Sequence, residues 1–282
     1  MIAVVDYQKG NLKSVERGLI AAGGEAFITA DASEIAKADA IVLPGVGAFA
    51  DAAATMCELG QMEVIRERVR AGVPFLGICL GEHLMFDHGV EGAPEGNPAC
   101  GLGLLPGTVV AMPRCDAQGK AFKVPHVGWN TIEIPVCGGS AAVPPCGEGG
   151  GNAVLLSGGA GGGAARSSAA KRGLFEHGAF PGSTPQAGGE FAFPDSIPQP
   201  GSDLAFACPL FDGIAPGEYF YFTHSYIAPT GSHTIAETTH STRFTSAVQY
   251  GDRAFGVQFH PEKSSDAGAR VLANFVAIAA RG

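Results

Sequence analysis

Three short runs in this chain are apolar almost throughout: Ile2–Asp6 reads IAVVD, Ala40–Leu43 reads AIVL and Pro74–Cys79 reads PFLGIC. A strand with one wet face alternates apolar and polar residues. A strand that is apolar throughout is covered on both faces, which is the situation of a parallel sheet between two layers of helices. Helix-like stretches separate the runs. Leu12–Ala22 carries Leu12, Val15, Leu19 and Ile20 at helical spacing and is ended by Gly23-Gly24. Asp51–Leu59 and Met62–Ala71 also read as helices, and Glu25–Thr29 as a further strand.

The alternation predicts an α/β fold, flavodoxin-like or Rossmann-like, with a central mixed but mostly parallel sheet flanked by helices. The C-terminal third reads differently. Glu218–Tyr226, Ile235–Thr239, Thr245–Tyr250 and Ala254–Phe259 are strand-like and Ala267–Ala280 is a closing helix, so an antiparallel portion is expected there. Between these parts, residues 137–207 contain Gly149-Gly150-Gly151, a second glycine run from Gly158 to Gly163 and several prolines. Such a composition buries too little apolar area to offset its ordering entropy. It reads as a flexible Gly/Ala/Pro-rich insertion in a single domain spanning 1–282.

With 46% hydrophobic and 16% charged residues, the chain has material for a sizeable core. Its net charge of −9 and the lack of a Lys/Arg cluster argue against a nucleic-acid partner. No apolar run approaches the ~18–20 residues of a membrane span, and the first residues read as a strand rather than a leader, so a soluble cytoplasmic protein is expected. The seven cysteines (57, 79, 100, 115, 137, 146 and 208) are odd in number and without Cys-x-x-Cys spacing. Neither a disulfide framework nor a metal site is indicated, and no cofactor is called for.

One cysteine stands apart. In Gly77-Ile78-Cys79-Leu80-Gly81 a strand runs into a Gly-x-Cys-x-Gly turn, the thiol form of a nucleophile elbow, with a helix expected through Leu84, Met85 and Phe86. The glycines permit a sharp turn, the helix N-terminus favours negative charge on the sulfur, and the Leu80 N–H points at an oxyanion. A buried structural cysteine between packing glycines is the bland reading of the same five residues. The second signal is Gly256-Val257-Gln258-Phe259-His260-Pro261-Glu262-Lys263, where a strand is read to end in His260 with Glu262 two residues on. A nucleophile, a base and a carboxylate that orients the base are what an activated thiol needs. Together the two segments predict the triad Cys79, His260, Glu262.

The elbow with the distant Phe259-His260-Pro261-Glu262 resembles the class I, triad-type glutamine amidotransferases. Further segments in the same order narrow the resemblance to the glutaminase subunits of imidazole glycerol phosphate synthases. They are Asp6-Tyr7 with Gly10–Val15, Leu43–Phe49, Gly101–Gly107, Pro125–Asn130, Tyr221–Tyr226 and Gln258–Ser264. The resemblance implies hydrolysis of L-glutamine to glutamate and ammonia through a thioester on Cys79. The ammonia would pass to a cyclase subunit with a (β/α)8 barrel that makes imidazole glycerol phosphate and an aminoimidazole carboxamide ribotide in histidine biosynthesis. It further implies an oxyanion role for Gly45, Val46 and Leu80. Substrate contacts are implied at Gly47, Gly81, His83, His224, Ser225 and Tyr226, and a partner surface at His126, Trp129, Asn130 and Lys263. The two glycines around Val46 allow a peptide flip that would couple the oxyanion N–H to the partner, with a simple strand-to-helix turn as the bland reading. For Trp129 core packing stays open.

Two features depart from the family pattern. After Gly81 the family has an apolar residue and then Gln, where this chain has Glu82 and His83. A charge at Glu82 would disfavour a thiolate at Cys79, and the missing Gln puts one substrate contact in question. The other departure is the Gly-rich insertion. Two further readings stay open: a glutaminase of another pathway, such as pyridoxal phosphate synthesis, and a non-catalytic scaffold with impaired glutamine binding.

Overall fold

The computed structural model describes residues 1–133 and 208–281; the Gly-rich stretch read as an insertion lies outside them. The first half contains β1 (Ile2–Val5), α1 (Leu12–Ala21), β2 (Ala26–Thr29), α2 (Ala32–Ile35), β3 (Ala40–Gly45), α3 (Phe49–Glu58) and α4 (Gln61–Arg70). Then come β4 (Phe75–Cys79), α5 (Leu80–His83), β5 (Phe86–Gly89), β6 (Ala99–Cys100), β7 (Leu105–Ala111) and β8 (His126–Thr131). The second half adds β9 (Tyr219–His224), β10 (Tyr226–Ile227), β11 (Thr234–Thr239), β12 (Arg243–Tyr250), β13 (Ala254–Val257) and α6 (Ser265–Ala279). A seven-stranded sheet has the order β11-β12-β13-β4-β3-β1-β2. The pairings of β2, β1, β3, β4 and β13 are parallel, and β12 and β11 close the edge antiparallel. Two smaller sheets, β10-β7-β5-β6 and β8-β9, complete the set. The α/β architecture and its antiparallel C-terminal edge agree with the sequence.

The unbroken apolar runs have a simple cause. Along β3, Ile41 and Leu43 enter one core, with α3 and α4 residues Phe49, Met56 and Ile65, while Ala40 and Val42 enter the other, with α1 and α6 residues Val15, Leu19, Leu272 and Phe275. Alternate side chains thus meet two different hydrophobic layers, and no position is left for a polar residue. The helix α1 ends as its glycines require. Gly23 has φ +87°, and the N–H groups of Gly23 and Gly24 close on the carbonyls of Ile20 and Leu19.

Three boundaries differ from the sequence reading, each because a backbone group is claimed by another segment. The elbow helix is one turn. Leu102 N–H takes the Leu84 carbonyl, Leu104 and Leu105 take the Met85 carbonyl, and Phe86 opens β5 instead of continuing the helix. The strand read as Glu218–Tyr226 breaks at Ser225, since β9 pairs with β8 whereas β10 pairs with β7. The strand read to end in His260 ends at Val257. Beyond it Gln258 N–H bonds Ser246 on β12, and His260 N–H bonds Tyr221 on β9. The carboxyl ends of β3, β4 and β13 therefore lie side by side, with Gly45 opposite Cys79 and Val257 opposite Ile78. That edge is where open parallel sheets place their sites.

Candidate active site

Cys79 is the last residue of β4 and has φ +55°, ψ −104°, a conformation costly for any side chain. The flanking glycines act differently from the sequence reading. Neither adopts positive φ; their value is the missing Cβ. A Cβ on Gly81 would run into the Leu43 carbonyl of β3, and one on Gly77 would lie 2.8 Å from the Glu82 nitrogen. β4, its turn and β3 are packed backbone to backbone, and this closeness holds Cys79 in its strained position.

His260 faces the thiol across the sheet edge. Its Nδ1 lies 3.0 Å from Glu262 Oε1, and the side chains of both residues are almost wholly buried. Glu262 stands in the short turn Pro261–Lys263, so the proline between base and carboxylate fixes their separation. Burial pulls the imidazole toward neutrality, but its interactions with the thiol of Cys79 and with Glu262 outweigh that and raise it to about 9. Nε2 has no hydrogen-bond partner among the described residues. The three residues expected to form a triad are brought together, with the imidazole as the shared member.

The thiol opens into a cavity of about 380 Å3 whose wall includes Val46, Gly47, Leu80, His83, Glu91, His224, Ser225 and Tyr226. Two larger clefts, of about 640 and 630 Å3, lie elsewhere and contain neither Cys79 nor its base. Of the residues expected to touch substrate, Gly81 is absent from the cavity wall, being pressed against Leu43. His83 reaches the wall but is engaged: its Nε2 lies 2.7 Å from Gln258 Oε1. Of the oxyanion candidates, Val46 and Leu80 line the cavity. Gly45 sits behind them, where a Cβ would collide with the Tyr7 hydroxyl and Leu80.

Tyr7 is a residue the sequence reading passed over. Its side chain is fully buried, its hydroxyl has no hydrogen-bond partner, and burial and the nearby Cys79 push its ionisation far up. The only hint was its place in the first strand-to-helix turn. Glu91 lies in the cavity wall half-buried, whereas Glu95 does not line it.

The expected partner surface divides in two. Trp129 is 50% exposed, meets Tyr221 edge to face, and has Lys263 Nζ over that same tyrosine, so three residues share one outward patch. His126 is corrected: it is buried. His224 Nδ1–H donates to the Tyr226 carbonyl, leaving its Nε2 to accept from His126 Nδ1–H at 3.0 Å. His126 Nε2 then accepts from Asn130. Burial lowers His126 to about 4 and holds His224 well below the usual imidazole range, consistent with a chain that requires neutral rings. Asn130 is likewise used internally, with a second bond to the Thr239 carbonyl.

Glu82 does not act as the charge beside the thiol that the sequence suggested. It is fully buried against Gly256 and Met85, and neither carboxyl oxygen has a partner among the described residues. Burial, reinforced by Cys79, pushes it well above the carboxylate range. A buried, unpaired acid is carried neutral, and a neutral Glu82 does not oppose charge on the sulfur.

A family model for class-I glutamine amidotransferases matches residues 3–133 and 196–279. The imidazole glycerol phosphate synthase subunit HisH of Moorella thermoacetica is 35% identical over 276 residues, covering 97% of this chain and 93% of that protein. Its counterpart from Syntrophotalea carbinolica is 32% identical, covering 98% of each. Among solved structures, a glutamine amidotransferase superposes with a TM-score of 0.55 at 15% identity, covering 99% of this chain and 98% of that one. The glutaminase domain of Trypanosoma brucei CTPS with bound acivicin gives 0.52 at 14%, covering 99% and 93%. The chain belongs to the class-I glutamine amidotransferase family.

The buried acid yields a stability prediction. Its folded pKa is raised, so the unfolded chain ionises first, and stability falls as pH rises above about 4.3, the free glutamate value. Glu82→Met should raise the urea unfolding free energy at pH 7 by about 1–3 kcal/mol, with a smaller gain at pH 4.5. A loss of stability at pH 7 would show that the carboxylate has a partner.

Proposed function

We propose that this amidotransferase is the glutaminase subunit of an imidazole glycerol phosphate synthase, hydrolysing L-glutamine and passing the ammonia to a cyclase. The observation that carries the chemistry is the buried constellation of Cys79, His260 and Glu262, with Cys79 in the wall of a cavity. The pathway rests on near full-length relatives that bear the name of that subunit.

The reaction uses each group once in each direction. Cys79 Sγ, its proton already held on His260 Nε2, attacks the side-chain carbonyl of glutamine, while Glu262 holds the ring by Nδ1. The oxyanion is met by the Leu80 N–H at the start of α5 and by the Val46 N–H once the loop presents it. His260 returns its proton to the departing nitrogen as the C–N bond breaks, leaving a γ-glutamyl thioester and ammonia. Water, deprotonated by His260, then cleaves the thioester to glutamate and restores the thiol. Glu91 in the cavity wall suits the substrate's α-ammonium, and the neutral His224 and Ser225 suit its polar groups.

Ammonia released into water becomes ammonium and loses its nucleophilicity. A covered path into a (β/α)8-barrel partner avoids this, and the patch of Trp129, Tyr221 and Lys263 is its proposed docking surface. Neutral Glu82 removes the electrostatic reason for suspecting an inert scaffold.

Two outcomes test this. Cys79→Ala should abolish glutamine-dependent synthesis in the complex with the cyclase while ammonia-dependent cyclisation persists. His260→Ala should do nearly as much damage, and Glu262→Gln less, because it orients and does not react. Glutamine-dependent synthesis surviving Cys79→Ala would remove the nucleophile. In the pH–rate profile, kcat/KM should decline as pH rises through about 9, where His260 loses the proton that ammonia must collect. Glu262→Gln should move that decline to lower pH, and an unmoved limb would mean that another group sets it.

A further inference from the structure

One fully buried polar side chain touches the thiol and takes no part in the scheme above. Gln258 Nε2 lies 3.6 Å from Cys79 Sγ, a normal donor distance to sulfur. Its other end, Oε1, lies 2.7 Å from His83 Nε2. An amide has two unlike ends. With NH2 toward the sulfur it stabilises a thiolate; rotated by a half turn, it presents an oxygen that repels one. The backbone of Gln258 is fixed by its N–H bond to Ser246, so the choice between the two is made at the far end of the side chain.

We infer that Gln258 is a catalytic residue that donates an amide N–H to the attacking sulfur, and that His83 is the positioning residue that turns the amide that way. Since Oε1 only accepts, His83 must carry its neutral ring proton on Nε2. Burial, set against the bond to Gln258, holds the ring neutral by lowering it to about 4. His83 stands where the family has Gln, and both side chains can donate an N–H. What looked in sequence like a lost substrate contact is a donor turned toward Gln258. The inference deepens the glutaminase reading and rests on it for its meaning, but the sulfur contact is measurable without glutamine.

The test is the pH profile of iodoacetamide alkylation at Cys79 in the full chain, mapped by mass spectrometry with the exposed Cys57, Cys100 and Cys115 as internal references. On the rising acid limb, Gln258→Leu should react about tenfold more slowly than wild type, the profiles meeting on the alkaline plateau where every thiol is ionised. Gln258→Glu, nearly the same shape, should shift the limb in the same direction. His83→Leu should give a smaller shift and His83→Gln should restore the wild-type profile. With the cyclase present, Gln258→Leu should lower kcat for glutamine and leave KM nearly unchanged. Superimposed profiles, or one depressed equally at every pH, would overturn the inference while leaving the triad intact. If wild type with its cyclase fails to hydrolyse glutamine but the limbs still separate, the sulfur contact stands and the glutaminase reading falls.

Discussion

The close approach of β3 to the end of β4 is the constraint on which the site depends. With Gly81 pressed on the Leu43 carbonyl and Gly77 under the start of α5, the chain has no room to relax Cys79 out of its positive φ. A side chain at Gly81 would push the turn off β3, and one at Gly77 would push α5 off β4. Because β13 pairs with the other edge of β4, the same register that lifts the thiol above the sheet sets the departure point of the His260 segment. Nucleophile and base come from residues far apart in sequence, yet one set of parallel ladders fixes both.

Charge is then handled by burial more than by attraction. His260 is held protonated between a thiol and a carboxylate, while Glu82, His83, His126 and His224 are all pushed toward their neutral forms. The charge of the site thus stays with Cys79, His260 and Glu262, in a shell of neutral hydrogen-bonding groups. Such a shell favours a thiolate–imidazolium pair without competing counter-ions, and it leaves the cavity free to sort a zwitterionic substrate by its ends.

Much of this was legible in the sequence because it follows from local rules. Runs such as AIVL can only be strands covered on both faces, and the spacing His260-Pro261-Glu262 leaves the carboxylate little choice of partner. The illegible parts depend on long-range commitments. The expected helix through Leu84–Phe86 failed because Leu102, Leu104 and Leu105 claim its carbonyls. Gln258 and His83 are 175 positions apart, and nothing local tells which end of an amide faces a sulfur. His126 was placed on the surface with Trp129, but on a strand residues three apart point to opposite faces. Reading 126–131 as a strand would have put His126 and Asn130 inward and Val127 and Trp129 outward, as found.

The central claim is that Cys79, among the thiols of this chain, forms the covalent bond to glutamine. Treating the complex of chain and cyclase with a glutamine analogue bearing an electrophile, then mapping the labelled peptides, measures this directly. The account predicts a single adduct on Cys79, formed more slowly when glutamine is added. Labelling at Cys57, Cys100 or Cys115 with Cys79 untouched, or labelling indifferent to glutamine, would contradict it.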